Sequence, residues 1–159
     1  MTADFPKPFA EALTPLFEAL PLDQAMAQLV VRKPGPTDVV DRVIASPVVA
    51  AQPRLQAGLW LYVDQLDRSH EISQDMHDAT GSFWHGIMHR REGDFGNSHY
   101  WFNRTGSHPA MKEIDGYDGH AFIDDVSAAY RKGGDQAALV EMQRREWVTL
   151  MRWCMERAE

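Results

Sequence analysis

Apolar residues recur at helical spacing along most of the chain, and no stretch alternates convincingly between apolar and polar positions. The last segment shows this best, because from Leu139 through Trp147 to Cys154 the apolar positions follow one another at intervals of three and four. This spacing places them on one face of a helix, which is typical of helices that pack against a core. The pattern therefore predicts an all-α fold.

Prolines, glycines and capping residues set the expected helix ends. Pro15 is expected to restart the first helix, Pro47 and Pro53 suit first turns, and Gly93 and Gly133 end helices. The predicted helices cover residues 7–20, about 22–31, a segment capped by Thr37, about 53–68, about 82–92 after a break at Thr80-Gly81-Ser82, Asn97 to Arg104, about 119–132, and 136–157 behind Asp135. Residues 105–118 are rich in Gly, Pro, Asp and Ser, and are predicted to form a loop.

The chain has 159 residues, of which 44% are hydrophobic and 25% charged. That length suffices to bury a core without disulfide bonds. We expect a single all-α domain, residues 1–159, of about six or seven helices. The helices 53–68 and 136–157 are expected at its centre.

The net charge of -7 argues against a nucleic-acid binder, because such proteins neutralise phosphates with Lys and Arg. No apolar stretch approaches the length of a membrane span. The single cysteine, Cys154, excludes an internal disulfide and fits a reducing compartment. The first residues lack a signal-peptide pattern. The sequence predicts a cytoplasmic protein with a small-molecule ligand or protein partner, and leaves the oligomeric state open.

The histidines are concentrated in one stretch of the chain. Six of the seven lie between residues 70 and 108: His70, His77, His85, His89, His99 and His108. Imidazole is the commonest protein metal ligand and a frequent acid or base at neutral pH. We therefore expect the function to reside in this stretch.

His85 and His89 are four residues apart on a predicted helix, so their side chains project from one face, one turn apart. Two imidazoles in this arrangement can chelate a metal ion. Glu92, three residues beyond His89, suits a carboxylate that fixes the tautomer of that histidine. The metalloprotease signature is absent, because it requires Glu directly after the first histidine, where this chain has Gly86.

A third ligand must come from elsewhere, and His70 is the best candidate because an antiparallel return of the preceding helix brings it near. His77, His108 and Asp94 are weaker candidates. The predicted site takes a divalent transition metal, with zinc favoured over iron or nickel. An open coordination position would favour hydrolysis of a small polar substrate.

The alternative is a metal-free module for a small molecule or a protein. Arg90, Arg91, Asn97 and Tyr100 are the candidate substrate-binding residues, since guanidinium groups recognise carboxylates and phosphates. Without a metal, the histidines would join these residues in a polar pocket or a buried hydrogen-bonded network. The arginines have a simpler interpretation too, in which one pairs with Glu92 or Asp94 and the other is solvated.

The other reactive or aromatic side chains are expected to be structural. Tyr100-Trp101-Phe102 covers too much of a short helix to be wholly buried, and it is predicted to contribute to core packing, with the lining of a pocket as the alternative. His120 is predicted to lie on the surface beside Asp118, and Cys154 to be a small core residue. The sequence names no catalytic residue.

One stretch resembles an uncharacterised family of bacterial proteins. The resemblance rests on the segments SHEISQ (69–74), TGSFWHGIMHRREGD (80–94), Asn97 and YWF (100–102). It implies that this stretch works as one unit, and it brings no established activity with it.

Overall fold

The computed structural model describes residues 3–158, and within that range every regular element is helical. The nine α-helices are α1 (Lys7–Ala19), α2 (Asp38–Ile44), α3 (Pro47–Ala50), α4 (Pro53–Tyr62), α5 (Leu66–Ser73), α6 (Ala79–Glu92), α7 (Phe95–Thr105), α8 (Gly119–Lys132) and α9 (Ala137–Glu156). A 3₁₀ helix spans Pro109–Glu113 within the predicted loop. The all-α prediction is confirmed, and the predicted count of six or seven helices is slightly low.

The predicted helix 53–68 is two helices, α4 and α5. The chain turns at Asp64, a non-glycine residue with φ of 60°. Arg91 of α6 stabilises this turn, because its guanidinium donates to the carbonyl of Leu61 at 2.8 Å and to the Asp64 carboxylate at 2.5 Å. The break is thus fixed by a distant residue and not by a local glycine or proline.

The predicted helix 22–31 is wrong, since this segment contains turns without a helix. Met26 has φ of 54°, which is incompatible with a continuous right-handed helix. The carbonyls of this segment accept hydrogen bonds from side chains of α9. Gln143 donates to the Met26 carbonyl at 2.8 Å, and Arg144 donates to the Ala25 carbonyl at 2.9 Å. These long-range hydrogen bonds replace the helical ones.

Two helices in the histidine-rich stretch begin earlier than predicted because different residues cap them. Asp78 caps α6 by accepting from the Gly81 amide at 2.8 Å, so the helix starts before Thr80. Asp94 caps α7 by accepting from the Asn97 amide, so Asn97 lies inside the helix. Gly93 ends α6 in the left-handed conformation (φ 85°), as the sequence predicts.

Helices α4, α6 and α9 form the centre of the main hydrophobic core. The lack of a side chain at Gly58 lets α6 and α9 pack closely on α4, since a Cβ there would lie 2.4 Å from Met151 Sδ and 2.8 Å from Trp84. Cys154 is buried in this core, as predicted, and burial raises the pKa of its thiol to about 12. The central positions predicted for 53–68 and 136–157 therefore apply to α4 and α9, with α6 beside them.

Among the described residues, every helix is too short or too polar to cross a bilayer.

Candidate metal centre

Three histidines from two helices come together. His85 and His89 lie one turn apart on α6, and His70 comes from α5, which contacts α6. One ligand nitrogen from each of the three lies within 4.8 Å of the other two. The structure thus brings together all three residues that the sequence selects as ligands.

The three imidazoles are packed against one another with little access to solvent. His85 is 4% exposed and His89 is 9% exposed, whereas His70 is half-buried. The ring centroid of His85 lies 4.7 Å from that of His70 and 4.8 Å from that of His89. Trp101 of α7 stacks on His85, with centroids 3.8 Å apart and an interplanar angle of 14°.

Burial determines the protonation state of His85. Desolvation, with smaller contributions from the neighbouring His89 and His70, lowers the pKa of this imidazole to about 3. His85 is therefore neutral at physiological pH, which is the form that ligates metals. Its Nδ1 is buried without a hydrogen-bond partner among the described residues.

A carboxylate orients the second histidine of the pair. Glu92 Oε1 lies 2.6 Å from His89 Nδ1, the contact expected from their spacing on the helix. A carboxylate that accepts from Nδ1–H fixes the tautomer and leaves Nε2 with its lone pair for an ion. Glu92 is partly exposed, so the contact lies at the edge of the buried group.

A second possible ligand group shares His89. It comprises His89, Glu92 and Asp94, whose ligand atoms also lie within 4.8 Å of one another. Both carboxylates already have partners, because Asp94 caps α7 and accepts from the Asn97 side chain at 2.9 Å. Both are also exposed. The three-histidine group is the more enclosed of the two.

Short side chains link the four helices α4, α5, α6 and α7 around this group. Ser69, next to His70, donates to the Ala57 carbonyl of α4 at 2.9 Å. Ser98 of α7 donates to the carbonyl of Gly86, between the paired histidines, at 2.7 Å. Gly86 also permits close contact between the helices, since a Cβ there would lie 2.5 Å from Phe102 Cδ2.

The four predicted substrate-binding residues are not brought together. Arg90 is fully buried and donates to both oxygens of Glu146, at 2.7 and 2.9 Å. Arg91, 1% exposed, holds the α4–α5 turn. Asn97 and Tyr100 lie on the exposed side of α7. The simpler interpretation of the arginines also differs from the structure, because their acidic partners are Glu146 and Asp64 and neither arginine is solvated.

The remaining predicted candidates for the third ligand lie elsewhere. His77 is exposed and belongs to neither ligand group. His108 is buried with both ring nitrogens in hydrogen bonds: Nδ1 accepts from the Ala110 amide at 3.1 Å, so Nε2–H donates to Thr80 Oγ1 at 3.0 Å. Burial lowers its pKa to about 4. His108 is a neutral structural histidine.

Sequence reasoning missed a second histidine cluster. His99 of α7 and His120 of α8 stack with their Nδ1 atoms 2.7 Å apart, and His99 Nε2 lies 2.9 Å from the Asp124 carboxylate. His120 is half-buried here, although the sequence suggested a surface position. No local spacing indicated the cluster, because His99 lies 21 residues from His120 and on another helix.

No protein family, curated protein or solved structure matches the chain.

Proposed function

We propose that the protein binds a divalent transition metal through His70, His85 and His89. The observation that carries the proposal is the Nδ1 of His85, a buried and neutral imidazole nitrogen without a partner inside a group of three histidines. Buried polar atoms are nearly always satisfied, and a metal ion would satisfy this one. Zinc is the favoured ion because it accepts imidazole ligands readily.

The spacing of the nitrogens is compatible with such an ion. Tetrahedral zinc with bonds of about 2.0 Å holds its nitrogen ligands about 3.3 Å apart. The three nitrogens lie within 4.8 Å of one another, so small rotations of the rings bring them to that distance. Glu92 supports the site by orienting His89.

The metal-free alternative has less support. It requires His, Arg, Glu and Asn side chains that satisfy one another. A buried polar network does exist around Arg90, Glu146, Gln143 and Tyr117, but His85 has no hydrogen bond to it. Both guanidinium groups pair with a carboxylate, although the Nε of each is, like His85 Nδ1, buried without a partner among the described residues. His85 differs from them because two further imidazoles lie beside it.

The finer proposal is hydrolysis of a small polar substrate. Among residues 3–158, no fourth His, Cys, Asp or Glu ligand atom joins the three histidines. Three protein ligands leave a coordination position for water, and zinc lowers the pKa of bound water to about 7. Half-buried His70 marks the side from which a substrate would approach.

Elemental analysis of the protein, purified without an affinity tag, tests the binding proposal. We expect near-stoichiometric metal in the wild type and its loss in the His85→Ala/His89→Ala variant. His77→Ala is the matched control, because His77 is an exposed histidine in the same stretch, and it should keep its metal. Unchanged metal content in the double variant would overturn the proposal.

Chelation separates the metal-binding function from the metal-free alternative. Removal of an ion that binds only the native state should lower its stability by about 3–4 kcal/mol, if free metal is normally at 100 to 1,000 times Kd. Re-addition of zinc should restore the melting temperature. If the purified protein contains no metal and the chelator leaves its melting temperature unchanged, the result would support the metal-free alternative. For the finer proposal, a panel of small esters, amides and phosphate esters should be hydrolysed by the zinc-loaded wild type and not by His70→Ala.

A further inference from the structure

A cleft lies away from the three-histidine group, between α7, the 3₁₀ helix and the start of α8. Its volume is about 480 Å³, within the range of small-molecule sites. Phe102, Met111 and Tyr117 provide an apolar side, and Lys112 and His120 provide polar groups. None of His70, His85 and His89 lines this cleft.

The hydrogen bonds of His120 determine which of its nitrogens can meet a ligand. Its Nδ1 is engaged with His99 Nδ1, at 2.7 Å. Its Nε2, on the opposite edge of the ring, has no hydrogen-bond partner among the described residues. Because His120 lines the cleft, Nε2 is the nitrogen available to a bound molecule.

The contact between the two histidines carries a single proton, since a hydrogen bond needs one donor and one lone pair. His99 Nε2–H donates to the Asp124 carboxylate, which fixes the tautomer of His99. With His99 neutral, its Nδ1 accepts from His120 Nδ1–H, and His120 Nε2 carries a lone pair. Addition of one proton converts that lone pair to an Nε2–H donor.

A proton added to this chain of groups can place its charge next to a carboxylate. If the Nδ1 proton of His120 moves to His99 Nδ1, the positive charge lies on His99, in contact with the Asp124 carboxylate. His120 then remains neutral while its Nε2–H points to the ligand. The other charged groups beside the cleft are Lys112 and Asp118, and the Asp118 carboxylate already accepts from the Ala121 amide at 2.9 Å.

We infer that this cleft is a second binding site, independent of the metal, for a small organic carboxylate with an apolar body. The apolar body contacts Phe102, Met111 and Tyr117. The carboxylate accepts from His120 Nε2–H and pairs with Lys112, which forms no ion pair with the described acidic residues.

Calorimetric titration with 3-phenylpropanoate tests this inference. We expect binding to the wild type, and about tenfold weaker binding of the neutral amide analogue. His120→Gln and Lys112→Gln should each weaken binding about tenfold.

His77→Gln and Lys132→Gln are the matched controls, as exposed residues outside the cleft, and should bind like the wild type. The wild-type protein gives a readout that does not depend on the folding of any variant, because the ring-proton resonances of His120 should shift on addition of the carboxylate. Absence of binding at millimolar concentration, or equal affinity for the carboxylate and its amide, would each overturn the inference.

Discussion

The two histidine clusters use the same side chain in opposite ways. At the α5–α6 interface, His70, His85 and His89 contact one another through their rings, and a buried nitrogen lacks a partner. Between α7 and α8, His99 and His120 are hydrogen-bonded through their Nδ1 atoms, and the Asp124 carboxylate is hydrogen-bonded to His99 Nε2. Free lone pairs suit a metal ion, whereas a chain of hydrogen bonds suits a proton.

Burial accounts for much of this difference. The α6 histidines are almost without solvent contact, which favours the neutral form and penalises any unpaired nitrogen. The side chain of His99 is one-third exposed and that of Asp124 nearly three-quarters exposed, so water can reach that chain. The same residue type therefore yields a candidate ligand in one place and a candidate proton carrier in the other.

A substitution of Arg91 is expected to have the largest effect, and to affect the three-histidine group without affecting the cleft at His120. Arg91 holds the turn before α5, so Arg91→Met should disturb the placement of His70 and remove one donor each from the Asp64 carboxylate and from the carbonyls of Leu61 and Gln28. We expect a loss of about 3–5 kcal/mol in the free energy of unfolding and reduced metal content. Urea denaturation and elemental analysis measure these effects.

The control for this variant is Arg42→Met, since Arg42 is an exposed arginine of α2. It should stay within about 0.5 kcal/mol of the wild type. Binding of 3-phenylpropanoate by folded Arg91→Met should persist, because Arg91 does not line the cleft. Full metal content with near-wild-type stability would refute the role of Arg91 in positioning α5.

Gly86 is expected to affect both clusters at once. A Cβ at this position would lie 2.5 Å from Phe102, and the same ring faces Gly119 at the edge of the cleft, where a Cβ would lie 2.6 Å from it. Since Phe102 is 2% exposed and closely packed, Gly86→Ala should destabilise the protein by about 1–3 kcal/mol. Metal retention and carboxylate binding should both weaken.

Gly96→Ala provides the matched comparison, because nothing lies within 4 Å of a Cβ at that position of α7. Alanine there should stabilise the helix by about 0.5–1 kcal/mol. If Gly86→Ala proved as stable as Gly96→Ala, the close packing of α6 on Phe102 would be refuted.

His108 sharpens the comparison, as a buried histidine whose two nitrogens are both satisfied. Its pKa is about 4 in the folded protein and near 6.5 when unfolded. As the pH falls below 6.5 the unfolded state binds the proton first, so the wild type loses stability, by about 1 kcal/mol from this group at pH 5.5. The effect is absent above neutral pH.

His108→Asn removes the titration and retains an oxygen that can accept from the Ala110 amide. Urea denaturation at pH 7.5 and pH 5.5 should show the deficit of this variant, relative to the wild type, shrinking by about 1 kcal/mol at the lower pH. His77→Asn, at an exposed position, should show no such change. A constant deficit at both pH values would mean that His108 is not held neutral.

Local patterns predicted the parts of the molecule that depend on local geometry. The intervals in α9, the end of α6 at Gly93 and the common face of His85 and His89 all follow from helical spacing and glycine conformation. The contact between α5 and α6 followed from the short connection that joins them. That was enough to select His70, although its role as a metal ligand stays a prediction.

Long-range side-chain contacts account for what the sequence could not indicate. The turn at Asp64 depends on Arg91, the irregular segment before α2 depends on Gln143 and Arg144, and Arg90 finds its partner in Glu146. Neighbouring sequence contains no trace of such partners. The cluster of His99 and His120 was missed for the same reason, because only the packing of α7 against α8 brings the two rings together.

The burial of α6 has a consequence for motion. Of its 14 residues, 12 are buried, so α6 is not expected to unfold locally while its neighbours stay folded. Its amides should exchange with solvent deuterium only through large openings of the molecule. An ion would meet His85 and His89 already fixed in place, and any adjustment during its capture falls to His70 and to Trp101, which neighbouring helices carry.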